Sequence, residues 1–273
     1  MYEVAIIGSG PAGISAALTL KNLNKNFVLF GSQNLSDKVL RSQKITNYAG
    51  VNDVSGTELI EKFKKQLSDR NIEVTEKRIN NVFFLDGKFM LLSGDEIIEA
   101  KSIIFAGGTE SVKAVRGETE LLGKGVSYCA TCDGFLYKGK DIVIVTESPK
   151  FEHEVEFLRS LAASARIYRL YDGDRPLSKI NGETQVTSVE DGYGNVVTAD
   201  GVFLLKNSIS AAKLISGVKT ENGAVVVDRA QKTTLNGCFA AGDCTGTPYQ
   251  IAKAVGEGNV AAHSAVAYLS DKK

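Results

Sequence analysis

The sequence has no surplus of either charge: 32 basic side chains stand against 32 acidic ones in 273 residues. That balance excludes the broad electrostatic attraction on which binding to nucleic acid or to an anionic membrane surface depends, and leaves only local patches open. Long apolar runs are missing as well. None approaches the roughly 20 residues that span a bilayer, and the opening apolar stretch runs into a glycine-rich motif, not a cleavage site. These absences predict a cytoplasmic protein. Cysteine is scarce: four residues are too few for a disulfide scaffold in a chain of this length, yet two of them form Cys129-Ala130-Thr131-Cys132. In a reducing compartment that spacing points to redox chemistry or to metal. Zinc would need two further ligands at suitable spacing, but His153 and His263 are isolated, Cys238 and Cys244 lie in other local patterns, and no second CxxC exists. The spacing therefore favours a redox dithiol over half a metal site or two buried structural cysteines, and no metal is expected.

What is present is ordinary globular composition, 43% apolar and 23% charged, in a chain long enough for one large domain or two modest ones. Tyr2-Glu3-Val4-Ala5-Ile6-Ile7 reads as a strand, 8–13 as a tight turn and 14–20 as a helix. Asn26-Phe27-Val28-Leu29-Phe30 reads as the next strand, completing a βαβ unit. Further strands fit 103–106, 141–145, 166–168 and 202–205, with antiparallel pieces near 83–85 and 88–91. A second strand-then-helix pattern starts at Lys140, its helix covering 152–158. A strand, a turn and a long small-residue helix to Leu269 close the chain. The class is α/β with two domains, the second inserted in the first. The expected boundaries are 1–112 and 202–273 for one domain and 113–201 for the insertion.

The turn Gly8-Ser9-Gly10-Pro11-Ala12-Gly13 supplies what a pyrophosphate needs: backbone without obstructing side chains and a helix N-terminus whose N–H groups attract anions. The motif alone is weak and also describes a structural turn; its place inside a βαβ unit makes a dinucleotide the better reading. The second strand ends Phe30-Gly31-Ser32, with no acidic residue to hold a ribose. Asp133 follows the second cysteine directly, where a carboxyl can give and take protons as the sulfurs cycle; the alternative is a turn residue before Gly134.

The stretch Gly125-Val126-Ser127-Tyr128-Cys129-Ala130-Thr131-Cys132-Asp133-Gly134-Phe135 resembles the active-site signature of the low-molecular-weight thioredoxin reductases. The N-terminal glycine turn, Ile45-Thr46-Asn47-Tyr48-Ala49-Gly50 and Phe239-Ala240-Ala241-Gly242-Asp243 match that family in the same order, over nearly the whole chain. The resemblance implies an FAD-binding Rossmann-like domain carrying a shortened, degenerate NAD(P)-type insertion with the CxxC, and the homodimer usual in the family. It implies an FAD site built from Gly8, Ser9, Gly10, Pro11, Ala12, Gly13, Gly31, Ser32, Lys38, Asn47, Ala106, Gly107, Gly242, Asp243, Gln250 and Ile251. It also implies that Cys132 faces the flavin while Cys129 attacks the disulfide of thioredoxin or a thioredoxin-like protein, with Asp133 beside them. Where the family usually has Gly-Gly-Gln-Leu and Arg-Gln near the flavin, this chain has Ser36-Asp37-Lys38-Val39 and Tyr249-Gln250. Cys238 and Cys244 stand where the family tends to have small apolar residues and read as structural.

The inserted domain departs further. Members that use NADPH carry a second glycine-rich turn and an arginine-rich segment there; this chain has Thr146-Glu147-Ser148-Pro149-Lys150-Phe151 and then Tyr171-Asp172-Gly173-Asp174. Glu147 puts a carboxylate where a pyrophosphate belongs, Pro149 removes a donor, and Phe151 replaces a small residue. The nucleotide site is expected to be lost. The resemblance then narrows to the ferredoxin-dependent flavin thioredoxin reductases, in which the flavin converts single electrons from ferredoxin into two-electron disulfide reduction. The basic stretch Lys38-Val39-Leu40-Arg41-Ser42-Gln43-Lys44 has three readings: a docking surface for acidic ferredoxin, a cation set for FAD phosphate, or a solvated face. An atypical NADPH site and a non-catalytic flavin or disulfide sensor stand as the alternatives.

Overall fold

Near-continuous apolar runs are the mark of parallel strands covered on both faces, and the chain opens with one. In the computed structural model, which describes residues 1–109, 115–206 and 210–271 with the side chains of Cys132 and Ala212 outside that description, strand β1 (Tyr2–Ile7) is buried from Val4 onward. Helix α1 (Pro11–Asn22) begins with proline at its first position, where the missing N–H costs nothing. After it come β2 (Phe27–Phe30), α2 (Asp37–Leu40), α3 (Gly56–Asp69), β3 (Val74–Thr75), β4 (Asn81–Leu85), β5 (Lys88–Ser93) and β6 (Glu96–Phe105). A capping box starts α3: Ser55 Oγ accepts from Glu58 N (3.2 Å), and Glu58 Oε2 accepts from Ser55 N (2.6 Å).

The inserted segment holds β7 (Val126–Ser127), α4 (Ala130–Asp133), β8 (Asp141–Thr146), α5 (Glu152–Leu161), β9 (Ser164–Arg169), β10 (Lys179–Gly182), β11 (Val186–Glu190), β12 (Val196–Thr198) and β13 (Gly201–Leu205). The chain closes with α6 (Ala211–Leu214), β14 (Thr220–Glu221), β15 (Ala224–Val225), β16 (Cys238–Ala240) and α7 (Ile251–Ser270). Contacts group Met1–Thr109 with Ser210–Lys273 as one unit and Glu110–Ile209 as a second.

In the first unit the sheet runs β3-β2-β1-β6-β5-β4, with β16 also on β6. Strand β6 is longer than the expected 103–106 because it serves two partners on one side. Its first half pairs antiparallel with β5, and residues 103–105 pair parallel with β16. Helices α1 and α7 pack through small residues, among them Ala12, Ala16, Ala254, Ala261 and Ala265. Ser15 Oγ donates to Val255 O (2.6 Å) and Asn259 Nδ2 to Thr19 Oγ1 (3.0 Å).

In the second unit β7-β13-β8-β9 form a parallel sheet and β10-β11-β12 an antiparallel one. The expected return to the first domain at Val202 falls inside β13, which pairs with β8 from Gly201↔Ile142 to Leu205↔Thr146. That strand is therefore an inner strand of the inserted sheet, and the return comes at Ser210. Lys113, the expected point of departure, lies outside the described residues.

A Cβ at Gly258 of α7 would sit 2.1 Å from Ala12 O, whereas one at Gly256 would meet nothing within 4 Å. Gly258→Ala should therefore destabilise by about 1–3 kcal/mol through overpacking, and Gly256→Ala should be neutral or stabilise by about 0.5–1 kcal/mol through helix propensity. Urea unfolding of the two variants checks the contrast.

Candidate functional site

The first unit contains every residue expected to hold a dinucleotide. Gly8 has φ +117°, and a Cβ there would lie 2.2 Å from Ala106 O; at Gly13 it would lie 1.8 Å from Gly8 O. These two glycines are forced by backbone packing. Gly10 is different: a Cβ would meet nothing within 4 Å, so the bare backbone there faces open space at the start of α1, a cradle of the kind a pyrophosphate fills. Ser9 fixes the turn to the end of β2. Its Oγ accepts from Ser32 N (2.9 Å) and lies within donating distance of Ser32 O (3.0 Å) and Leu35 O (3.2 Å), and Gly31 is bare because a Cβ would strike that hydroxyl at 2.2 Å. Past the end of β2, Gln33 N donates to Glu76 Oε1 (2.9 Å).

The closing turn meets this cradle. Gly242 has φ +90°, and its Cβ would be 3.0 Å from that of Ala12. Lys38 Nζ donates to Asp243 Oδ2 (2.5 Å) and lies 4.8 Å from the Tyr249 ring centroid. Asn47 Nδ2 donates to Gln250 Oε1 (2.6 Å) just before Ile251 opens α7. The structure thus brings Lys38 to Asp243 and Asn47 to Gln250, and the open cradle at Gly10 fits an FAD pyrophosphate. Of the basic stretch, Lys44 pairs with Asp53 (2.5 Å) while Arg41 is exposed, so two of its three cations have carboxylate partners.

In the second unit Cys129 is buried and disulfide-bonded at the junction of β7 and α4; the side chain of Cys132 lies outside the described residues. Ser127 Oγ accepts from Cys129 N (3.0 Å) and donates to Asp133 Oδ2 (2.6 Å), which holds the carboxylate on the cysteine turn. Burial, then the negative charges of Asp133 and Asp200, push the Tyr137 phenol up. Phe135 and Leu136, just beyond the turn, are exposed. In the first unit Cys238 and Cys244 are free and buried, and desolvation pushes both thiols up to about 12. Neither resembles a reactive thiolate.

The carboxyl end of the second unit's parallel sheet is filled. Phe151 is buried in the core under α5, and Ser148 caps the turn Pro149–Phe151. Beyond β13, Lys206 Nζ donates to Glu118 Oε1 (2.8 Å) and Oε2 (3.0 Å), with the two side chains 5% and 0% exposed. Glu118 also accepts from Tyr128 Oη (2.5 Å) and Val115 N (2.7 Å). Glu147, Lys206, Leu170 and Leu177 line a cavity of about 10 Å³, room for about one water. Arg169, the cation at the end of β9, grips Glu152 through Nε (3.0 Å) and Nη2 (2.9 Å), and this bidentate contact draws the carboxyl below its usual range. Sequence reasoning missed Glu118, Lys206 and the engagement of Arg169.

Among the described residues no group of three or more His, Cys, Asp or Glu could hold a metal ion, and no helix is long and apolar enough to cross a membrane.

Residues 2–145 and 174–258 match the family described as pyridine nucleotide-disulphide oxidoreductase; the interval between the matches contains the filled turn. A thioredoxin reductase of Helicobacter pylori is 32% identical, with 98% of this chain and 99% of that protein covered. Two crystal structures of ferredoxin-flavin thioredoxin reductases from Clostridium acetobutylicum are similar throughout. One is 43% identical with TM-score 0.89 and the other 38% identical with TM-score 0.90, each comparison covering 99% of this chain and 98% of the other.

Removing one member of the buried pair strands the other. Glu118→Gln should cost about 3–5 kcal/mol, whereas Glu152→Gln, at a half-exposed pair, should cost about 1 kcal/mol or less. Equilibrium urea unfolding at neutral pH separates the two.

Proposed function

The chain belongs to the pyridine nucleotide-disulphide oxidoreductase family and, within it, to the thioredoxin reductases, flavoproteins that carry FAD and reduce disulfides; on that premise we propose that its electron donor is reduced ferredoxin, not NADPH. The observation that carries this is the filled sheet end of the second unit. A pyrophosphate needs bare backbone, unpaired N–H donors and cations. Here it would meet the Glu147 carboxylate, the bulk of Phe151, and a guanidinium already bound bidentately by Glu152. The Clostridium acetobutylicum proteins, whose name includes ferredoxin, support the same reading.

The 8–13 turn with Gly242 and Asp243 would hold FAD, and the bound flavin would supply the conversion between single-electron delivery and two-electron disulfide reduction. The reduced Cys129 and Cys132 then act on a thioredoxin-like protein. The Cys129 thiolate attacks one sulfur of the partner's disulfide and expels the other as a thiolate. Cys132 next attacks the mixed disulfide, so that the partner leaves with two electrons and two protons and Cys129–Cys132 is oxidised. Asp133, oriented by Ser127, takes and returns a proton at the turn. The exposed Phe135 and Leu136 offer the partner an apolar contact. The reading places the insertion as the redox-disulfide domain and extends to a homodimer in the cytoplasm.

Under anaerobic conditions reduced ferredoxin, or reduced viologen in its place, should bleach the flavin absorbance, and NADPH and NADH should not. Saturable bleaching by NADPH would return the protein to the nucleotide-dependent class. Cys129→Ser should keep its FAD and the reduction of that FAD, yet lose thioredoxin reduction by at least about 10³-fold, as loss of a nucleophile does; wild-type turnover in that variant would remove Cys129 from the relay.

A further inference from the structure

Helix α7 carries an ion pair that works against the helix. Lys253 lies in its first turn, where the macrodipole disfavours a cation, and Glu257 follows four residues later, the weaker of the two orders for such a pair. Both side chains are largely buried, at 16% and 19% exposed, so desolvation adds to the cost. What offsets it lies in the 242–246 turn. Lys253 Nζ donates to Gly242 O (2.8 Å), Thr245 Oγ1 (2.8 Å) and Gly246 O (2.7 Å), which uses the three protons of the ammonium. Glu257 Oε2 accepts from Gly242 N (2.8 Å) and lies 2.9 Å from Thr245 Oγ1. The pair thus binds both the N–H and the carbonyl of Gly242.

A turn bounded by Gly242 at φ +90° and Gly246 at φ +100° has little stiffness of its own, because glycine loses the most conformational freedom on ordering. Asp243 sits inside it. We propose that Lys253 and Glu257 are positioning residues for FAD. They act through 242–246, holding Asp243 and its backbone in the bound shape before the cofactor arrives, so that binding does not have to order two glycines. The proposal rests on the reading that Gly242 and Asp243 hold the ribityl-phosphate half of FAD while the 8–13 turn holds the ADP half.

The test uses full-length protein stripped of flavin, with FAD affinity read from quenching of flavin fluorescence and ADP affinity from calorimetry. Lys253→Met and Glu257→Gln should each weaken FAD by about 10- to 100-fold, the range that lost supporting contacts cost at other built sites, and leave ADP affinity unchanged. The double variant should bind FAD no more weakly than the weaker single variant, since both act on one turn. Unchanged FAD affinity in the folded variants overturns the proposal, and so does equal weakening of FAD and ADP, which marks general damage. Should either variant fail to fold, Thr245→Val removes one hydroxyl from the same network and leaves the ion pair. It must still weaken FAD several-fold without moving ADP, and an unchanged value overturns the proposal. Wild-type protein that takes up no FAD would overturn the cofactor assignment itself.

Discussion

Three parallel strands of the first unit end at one level, and the turns and helices around the cofactor cradle depend on that register. Ile7 of β1 and Ala240 of β16 both stand opposite Phe105 of β6, and hydrogen bonds continue the ladder one residue further, from Ala106 N to Ile7 O and from Ala241 N to Phe105 O. The chain leaves these strands through glycine in each case: Gly8 after β1, Gly107 after Ala106, Gly242 after Ala241. Bare backbone at a shared level lets α1 and α7 begin close together, with Gly258 pressed on the Ala12 carbonyl. The space in front of Gly10 remains after that packing is complete. The cofactor cradle is a product of the core, not an addition to it.

The second unit repeats the parallel layout and inverts its use. After β8 comes Glu147, where the first unit has Gly8 after β1, and after β13 comes Lys206, where it has Ala106 after β6. A buried charge requires a partner, and Glu118, fully buried, has Lys206, the Tyr128 hydroxyl and the Val115 N–H around it. Filling this sheet end therefore takes a matched set of groups and not one bulky residue.

Much of this was legible in the sequence, because near-continuous apolar runs and glycines at fixed offsets are local signals. The βαβ opening, the hairpin of β4 and β5 and the closing helix all stand where periodicity and spacing put them. What the sequence hid is pairing at a distance. The run 202–205 is equally apolar in either sheet, and only its register with β8 assigns it to the insertion. Glu118 and Lys206 are widely separated in sequence. Arg169 looks like a cation beside Asp172 and Asp174 until Glu152 reaches it from α5. Lys253 and Glu257 look like an ordinary surface pair, and the only local hint was that their order opposes the helix dipole.

The filled sheet end and the redox turn of the second unit are also one connected structure. Tyr128 immediately precedes Cys129, its hydroxyl is held by Glu118, and Lys206 lies 5.8 Å from its ring centroid. On the other side of that residue Ser127 carries both the Cys129 N–H and the Asp133 carboxylate. The backbone that presents Cys129 is thus fixed from the filled end of the sheet. A pocket that had only lost its ligand would leave its walls apart, at a cost that rises with the void. Here Glu118 and the Lys206 that lines the filled sheet end are satisfied against the residue that precedes the cysteine, so filling that sheet end and fixing the redox turn are consequences of one arrangement.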